Sequence, residues 1–330
     1  MKRETIEAVI EDLRAGKTPT LTVEDVPAFS EEATAGDPHI GPEALAALAA
    51  SLTEADIPTF ERALRAMDEG DLAWLGFKVV YDPAAAVGNV DNEVTKKYGD
   101  AGSADGEPLV FFCNDAKEIV ASREPSPRDV FQMKDVTRGP SMHNDQFDGL
   151  TWASEPLFGK VRVWLLGASD AAVEVARLAD HVGFHVIAVD YDSAFLNEER
   201  FPEAERIMLH GGNFDELANM PARPEDYVCV LTRGHMFDPE SCIWALENGV
   251  HYVGMMGCAG KNSTVHDLVI AGGISEADWD RVKRPIGLKF GAKTPAELAI
   301  AIVGELVDVR YRQRYSEAAQ AKHEASLGRE

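Results

Sequence analysis

Cysteine is scarce in this chain: four residues, Cys113, Cys229, Cys242 and Cys258, stand far apart among 330. That spacing builds neither a disulfide framework nor a CxxC metal site, so they read as reduced thiols. Basic charge is also short, with 32 Lys and Arg against 56 Asp and Glu and a net charge of −24. Bulk electrostatics therefore argue against nucleic acid or an anionic membrane surface as a partner. No apolar run approaches the roughly 18 residues that span a bilayer. The opening MKRETIEAVIEDLRAGK is amphipathic and charged, without a signal peptide's apolar core, and the expected location is cytoplasmic. HExxH, GxSxG and P-loop patterns are missing, which speaks against a zinc protease, a serine hydrolase and a P-loop ATPase. Neither an internal repeat nor a low-complexity tract stands out.

What is present is organised around residues 161–190, VRVWLLGASDAAVEVARLADHVGFHVIAVD. An apolar run turns at Gly167 into a segment whose Ala172, Val175, Ala176 and Ala179 fall at helical spacing, and a second apolar run follows. That run ends at Asp190, about twenty residues past the turn, where a Rossmann-type βαβ unit places its ribose-binding carboxylate. The turn keeps half of the GxGxxG fingerprint. Gly167 holds the first glycine position, Ser169 the second and Ala172 the third. Ser169 adds a side chain where backbone would approach a pyrophosphate, although its hydroxyl can donate to an anion at a helix N-terminus.

A chain of this length has room for about two domains. The first 70 residues read as mostly helical, with helices at 4–14 and 42–52 and a third opened by Thr53 and stopped by Gly70. Strand-like runs follow at 76–81 and 109–113, and residues 122–158 turn to Pro, Asp, His and Met with little periodicity. Domains are therefore expected at 1–157 and 158–330. After Asp190 strands are expected at 206–209, 227–232, 251–255 and 286–290, with a long helix from Pro295. The fold class expected is α/β: a Rossmann-like parallel sheet domain at the C-terminus behind an N-terminal domain of divergent α+β or α/β kind. Ligands of such sheets sit at the C-terminal ends of the strands, where strand order reverses.

Four segments of this second domain resemble the XdhC/CoxI family, accessory factors of xanthine dehydrogenase and related molybdenum hydroxylases. Val230-Leu231-Thr232-Arg233-Gly234-His235 with Asp238 is similar to the family's VVLTHGHxxD. His251-Tyr252-Val253-Gly254-Met255-Met256-Gly257-Cys258-Ala259-Gly260-Lys261 resembles its YIGMIGSRRK. The run from Arg284 to Ala299, RPIGLKFGAKTPAELA, resembles PIGLDIGAxTPxEIA, and Arg200-Phe201-Pro202-Glu203-Ala204 resembles RFPxA. The family's GAGHVA loop stands here as GASDAA, and its SRRK as Cys258-Ala259-Gly260-Lys261. The N-terminal half carries neither the GSTPR-like nor the GGGCxE-like segment of the family's partner domain. The resemblance implies a cofactor chaperone rather than a turnover enzyme. It would hold molybdenum cofactor, as molybdopterin or its dinucleotide form, and assist its sulfuration or insertion. The implied partners are a molybdenum hydroxylase apoenzyme and a sulfur donor. A homodimer is the base-rate expectation.

Residue by residue, Thr232, Arg233, Gly234 and His235 are expected on a loop at the ligand edge, where bending at Gly234 exposes amides and the two side chains recognise anions. The plainer alternative is a solvated loop with His235 bonded to Asp238. Gly254 and Gly257 permit close approach of a ligand or of backbone; Met255 lies between them and Lys261 supplies a positive charge beyond. The methionines also suit core packing. Cys258 is either a thiolate near a basic residue or a small buried side chain. Asp190 and Asp192 end a strand, and a carboxylate at Asp190 disfavours a 2′-phosphate; capping or solvation is the alternative. His143, Asp145, His181, His210 and His266 form no recognisable acid–base arrangement. Two other functions stay open: an NAD-dependent oxidoreductase of a small molecule, and a nucleotide-sensing interaction protein.

Overall fold

In the computed structural model, which describes residues 1–30, 37–87, 106–135, 149–257 and 259–314, the chain divides into two units, Met1–Gly159 and Lys160–Glu330. The first unit opens with helices α1 (Arg3–Arg14), α2 (Pro42–Ser51) and α3 (Ile57–Glu69). Thr53 and Asp56 form a capping box on the short turn that leads into α3. Gly70, in the left-handed region at φ 71°, ends that helix. Strand β1 (Ala73–Val80), a short helix α4 (Pro83–Val87), strands β2 (Leu109–Asn114) and β3 (Ile119–Ala121), helix α5 (Pro127–Asp135) and strand β4 (Leu150–Pro156) follow. The strands form an antiparallel sheet in the order β3-β2-β1-β4.

Two-residue alternation along β1 assigns its faces. Leu75, Phe77 and Val79 join the core built with Ile6, Val9, Leu45, Phe60 and Ala63 of the first three helices. Trp74, Gly76 and Lys78 point to the other face, where Phe111, Met133 and Trp152 lie. Gly76 is needed there, because a Cβ would come within 1.9 Å of the Phe111 ring. Lys78 and Asp129 are both buried on this face and pair at 2.8 Å, so the cation is neutralised where water cannot reach it.

The stretch 122–158, read from composition as aperiodic, contains α5 and the seven-residue β4. Leu150 and Trp152 face α5 while Ala153 enters the opposite core, a period of two that the flanking Pro, Asp and His residues hide. His143 and Asp145 lie outside the described residues.

The second unit alternates strand and helix: β5 (Arg162–Leu166), α6 (Asp170–His181), β6 (His185–Asp190), β7 (Glu205–Met208), β8 (Tyr227–Val230), α7 (Asp238–Glu247) and β9 (Tyr252–Met255). Helices α8 (Ala259–Ala271), α9 (Glu276–Trp279) and α10 (Pro295–Arg314) complete it. All five strands run parallel in the order β7-β6-β5-β8-β9. Strands β5, β6, β8 and β9 are buried on both faces and are accordingly near-continuous apolar runs, whereas the edge strand β7 begins with exposed Glu205 and Arg206. Val163, Leu165, Val186 and Ala188 pack against α6 and α10, whereas Trp164, Leu166, Ile187 and Val189 pack against α7 and α8. The fold class expected from the sequence is the one observed, with an α+β first unit.

No strand forms at 286–290. Pro285 has no amide hydrogen to donate, and Gly287 sits at φ 95°, so the chain touches β9 only through Lys283 and Ile286 before leaving the sheet. Among the described residues no helix is long and apolar enough to cross a membrane.

Candidate functional site

Strand order reverses between β5 and β8, so the turns after β5, β6 and β8 converge at one edge of the sheet. Gly167 makes the first turn at φ 106°, and a Cβ there would lie 2.5 Å from Thr232 Cα and 2.7 Å from Leu231 O. The glycine is therefore required by the chain's own backbone, which packs the β5 turn against the β8 turn. Ser169 is the N-cap of α6, its hydroxyl accepting from Ala172 N at 3.3 Å. Small Ala172 is fully buried beneath it.

Asp190 is buried at the end of β6, with its side chain 2% exposed. Its Oδ2 accepts from Ala168 N at 2.7 Å, and its Oδ1 accepts from Asp192 N at 3.0 Å and from Arg233 Nη2 at 3.1 Å. Arg233 also pairs with Asp192 at 3.4 Å, and its guanidinium carbon stands 3.6 Å from the Phe195 ring centroid and 5.6 Å from that of Tyr191. Burial alone would pull the Arg233 pKa down; the hydrogen bond and charge of Asp190 outweigh it and hold the guanidinium above its usual value.

In the turn after β8, Gly234 at φ 66° and His235 at φ 63° both adopt the left-handed region. That places His235 Nδ1 2.7 Å from Asp238 Oδ2, while Thr232 Oγ1 donates to Asp238 Oδ1 at 2.5 Å. Asp238 is itself buried in the first turn of α7, so the loop is tied to a helix N-terminus from within. The histidine–aspartate pair expected as the plainer alternative is thus formed, and His235 keeps a side chain 23% exposed.

At the end of β9 the two glycines serve packing. A Cβ on Gly254 would come within 2.5 Å of both Ile286 Cδ1 and the Tyr252 hydroxyl, and one on Gly257 within 2.9 Å of Asn262 Oδ1. Met255 lies in the core, its sulfur 3.8 Å from that of Cys242, and presents nothing to the ligand edge. A two-residue period explains the misplacement: Met255 and Val253 face α7 and α8, opposite to Tyr252 and Gly254. Cys258 lies outside the described residues, as does the side chain of Lys261. The other cysteines are buried and neutral; burial pushes the Cys113 thiol up to about 11 and those of Cys229 and Cys242 further. Among the described residues no three His, Cys, Asp or Glu side chains gather into a metal site.

Sequence reasoning missed Tyr191, Phe195 and Arg200. Arg200 donates to Ala168 O at 3.3 Å and to Asp170 Oδ1 at 3.0 Å, bracing the β5 turn from the far side. Its position in the RFPxA-like segment was the available signal.

The family model described as the XdhC Rossmann domain matches residues 163–306, from β5 into α10. This stretch is an XdhC Rossmann domain. A probable subunit of xanthine dehydrogenase from Bacillus subtilis (strain 168) is 28% identical over 184 residues, covering 54% of this chain and 53% of that protein. The uncharacterized protein YqeB of Escherichia coli (strain K12) is 27% identical over 150 residues, 45% of this chain and 27% of its own length. The chain thus spans about half the length of the first relative and about a quarter of the second. A solved xanthine dehydrogenase from Bacillus halodurans aligns over 79% of this chain and 70% of its own at 18% identity, with a TM-score of 0.44. The XdhC domain accounts for the strand edge just described; the first unit lies outside the matched residues.

Proposed function

We propose that this protein is an accessory factor of a molybdenum hydroxylase of the xanthine dehydrogenase type. In this reading it holds molybdenum cofactor, as molybdopterin or its dinucleotide form, and passes it to the apoenzyme, with sulfur supplied by a separate donor. The observation that carries the reading is the XdhC match laid over an edge where Gly167, Asp190, Thr232, Arg233 and His235 converge at a strand-order reversal. The name of the Bacillus subtilis relative points to the same enzyme system.

The residues fit a nucleotide-bearing cofactor in part. The first turn of α6, opened by Ser169 and Asp170, is oriented as the phosphate end of such a site, and His235 offers a partly exposed ring on the turn after β8. Asp190, the natural ribose acceptor, is covered by Arg233. When bound, the cofactor would supply the metal and the pterin dithiolene. The chain's own residues would orient it, through the loop amides and His235, and release it again. Reversible custody suits single basic groups better than a cluster of them.

The test is to purify the full chain from a molybdenum-replete host and measure metal, pterin and nucleotide together by elemental analysis and mass spectrometry. Molybdenum with pterin in stoichiometric amount is the expected result. Nicotinamide dinucleotide without metal would replace this reading with that of an oxidoreductase.

A further inference from the structure

A Rossmann-type carboxylate at the end of the second strand receives hydrogen bonds from a ribose diol. In this chain three donors already surround that carboxylate: the amides of Ala168 and Asp192, and Nη2 of Arg233. The arginine reaches Asp190 across the switch point, from the turn after β8. It also holds Asp192, and it lies flat enough on Phe195 for its guanidinium carbon to stand 3.6 Å from the ring centroid. A planar cation stacked on an aromatic ring and paired with two carboxylates takes up the acceptors, the ring face and the space that a base and its ribose would use.

We propose that Arg233 is the resident occupant of the ribose subsite and sets the specificity of this edge, because a ribonucleotide engages Asp190 only after the guanidinium has left both carboxylates. The inference rests on the reading of this edge as a nucleotide site. The arginine is tethered and cannot be diluted away, so the apparent affinity for a ribonucleotide falls in proportion to the fraction of molecules with Arg233 withdrawn. Once it withdraws, Asp190 and Asp192 present two negative charges to the ligand. The edge then favours an unmodified diol over a ribose carrying phosphate, whose charge those carboxylates repel.

Isothermal titration calorimetry of the full chain with adenosine 5′-monophosphate tests this, using wild type, Arg233→Ala and Arg233→Gln, and 2′-deoxyadenosine 5′-monophosphate as the control ligand. Both substitutions are expected to tighten the ribonucleotide about tenfold or more, following the population argument, with little gain for the deoxy form. Equal affinity in all three proteins overturns the proposal and leaves the edge as a nucleotide site. Weaker binding in the variants overturns it too, since Arg233 would then be holding the ligand. A gain shared equally by the deoxy ligand removes the ribose assignment. If none of the three proteins binds, the nucleotide reading falls together with the proposal. Thermal melting of each variant establishes that it is folded, and the glutamine variant keeps the experiment decisive if alanine at this position does not fold.

Discussion

Asp190 Oδ2 accepts the Ala168 amide at 2.7 Å, tying the end of β6 to the turn after β5 across 22 residues of chain. The carboxylate that a nucleotide would use is therefore part of the scaffold that shapes the turn. Replacing it by alanine leaves the Ala168 amide without its acceptor and Arg233 with Asp192 alone. Asp190→Ala is expected to lower stability by about 1–3 kcal/mol in urea titration, while Asp190→Asn, which keeps one acceptor oxygen, loses less. An unchanged denaturation midpoint in the alanine variant would show that the link does not stabilise the fold.

Gly167 has backbone closer to its open side than the other described positive-φ glycines of the domain, Thr232 Cα at 2.5 Å against 3.1 Å from Gly287 to Ala301 C. Gly167→Ala should cost at least about 2 kcal/mol, since strain at φ 106° adds to a Cβ only 2.5 Å from Thr232 Cα. Gly183→Ala is the matched control. It has φ 84° and nothing within 4 Å, and should cost only about 1 kcal/mol. Comparable losses at the two sites would contradict the packing role given to Gly167.

At the opposite end of the strands, Asp226 is fully buried and receives Arg162 Nε at 2.8 Å, Trp164 Nε1 at 2.9 Å and the Arg223 amide at 2.9 Å. Asp226→Ala strips the charge partner from Arg162 and leaves a buried indole N–H unmatched. A loss of about 3–5 kcal/mol is expected by chemical denaturation, more than for any exposed pair of this domain.

His266 on α8 is held between Asp267 and Glu276. The hydrogen bond to Glu276, followed by that to Asp267, raises its pKa above the usual histidine value of about 6.5. The protonated ring is the form these carboxylates stabilise. Their contribution is therefore complete below about 6.5 and is lost as pH rises through the raised folded value. An NMR titration of the His266 ring should place its midpoint above about 6.5, and Glu276→Gln should bring it down. A wild-type midpoint at or below the usual value would contradict the pairing.

The βαβ core was readable in advance because a parallel strand covered on both faces must be apolar throughout, and the helix between must repeat its apolar residues at helical spacing. Residues 163–166 and 172–179 satisfy both conditions, and the position of Asp190 follows from counting. The antiparallel strand Leu150–Pro156 was not readable. Its period of two is carried by only a few residues within a Pro-, Asp- and His-rich surround. The strand expected at 286–290 looked apolar enough, but a proline and a left-handed glycine deny it a ladder.

For the site, Gly167, Thr232, Arg233 and His235 could be named from sequence because each lies in a turn after a buried strand, and Asp238 through the resemblance of its segment to VVLTHGHxxD. Met255 could not be separated from its neighbours: one residue of register decides between the core and the edge. Tyr191 and Phe195 have no local pattern that marks them, and Arg200 is marked only by its place in the RFPxA-like segment.

Sequence alone determined that this chain has a doubly covered parallel sheet, which turns reach its ligand edge, and where the acid of the second strand falls. These are properties of local periodicity and of the short connections between neighbouring elements. Tertiary structure decided what the acid does. Arg233 lies 43 positions beyond Asp190 and Ala168 lies 22 before it. Only the folding of β8 beside β5 brings a guanidinium to bear on that carboxylate, because through-space electrostatics and hydrogen bonding depend on distance in the fold rather than on separation along the chain.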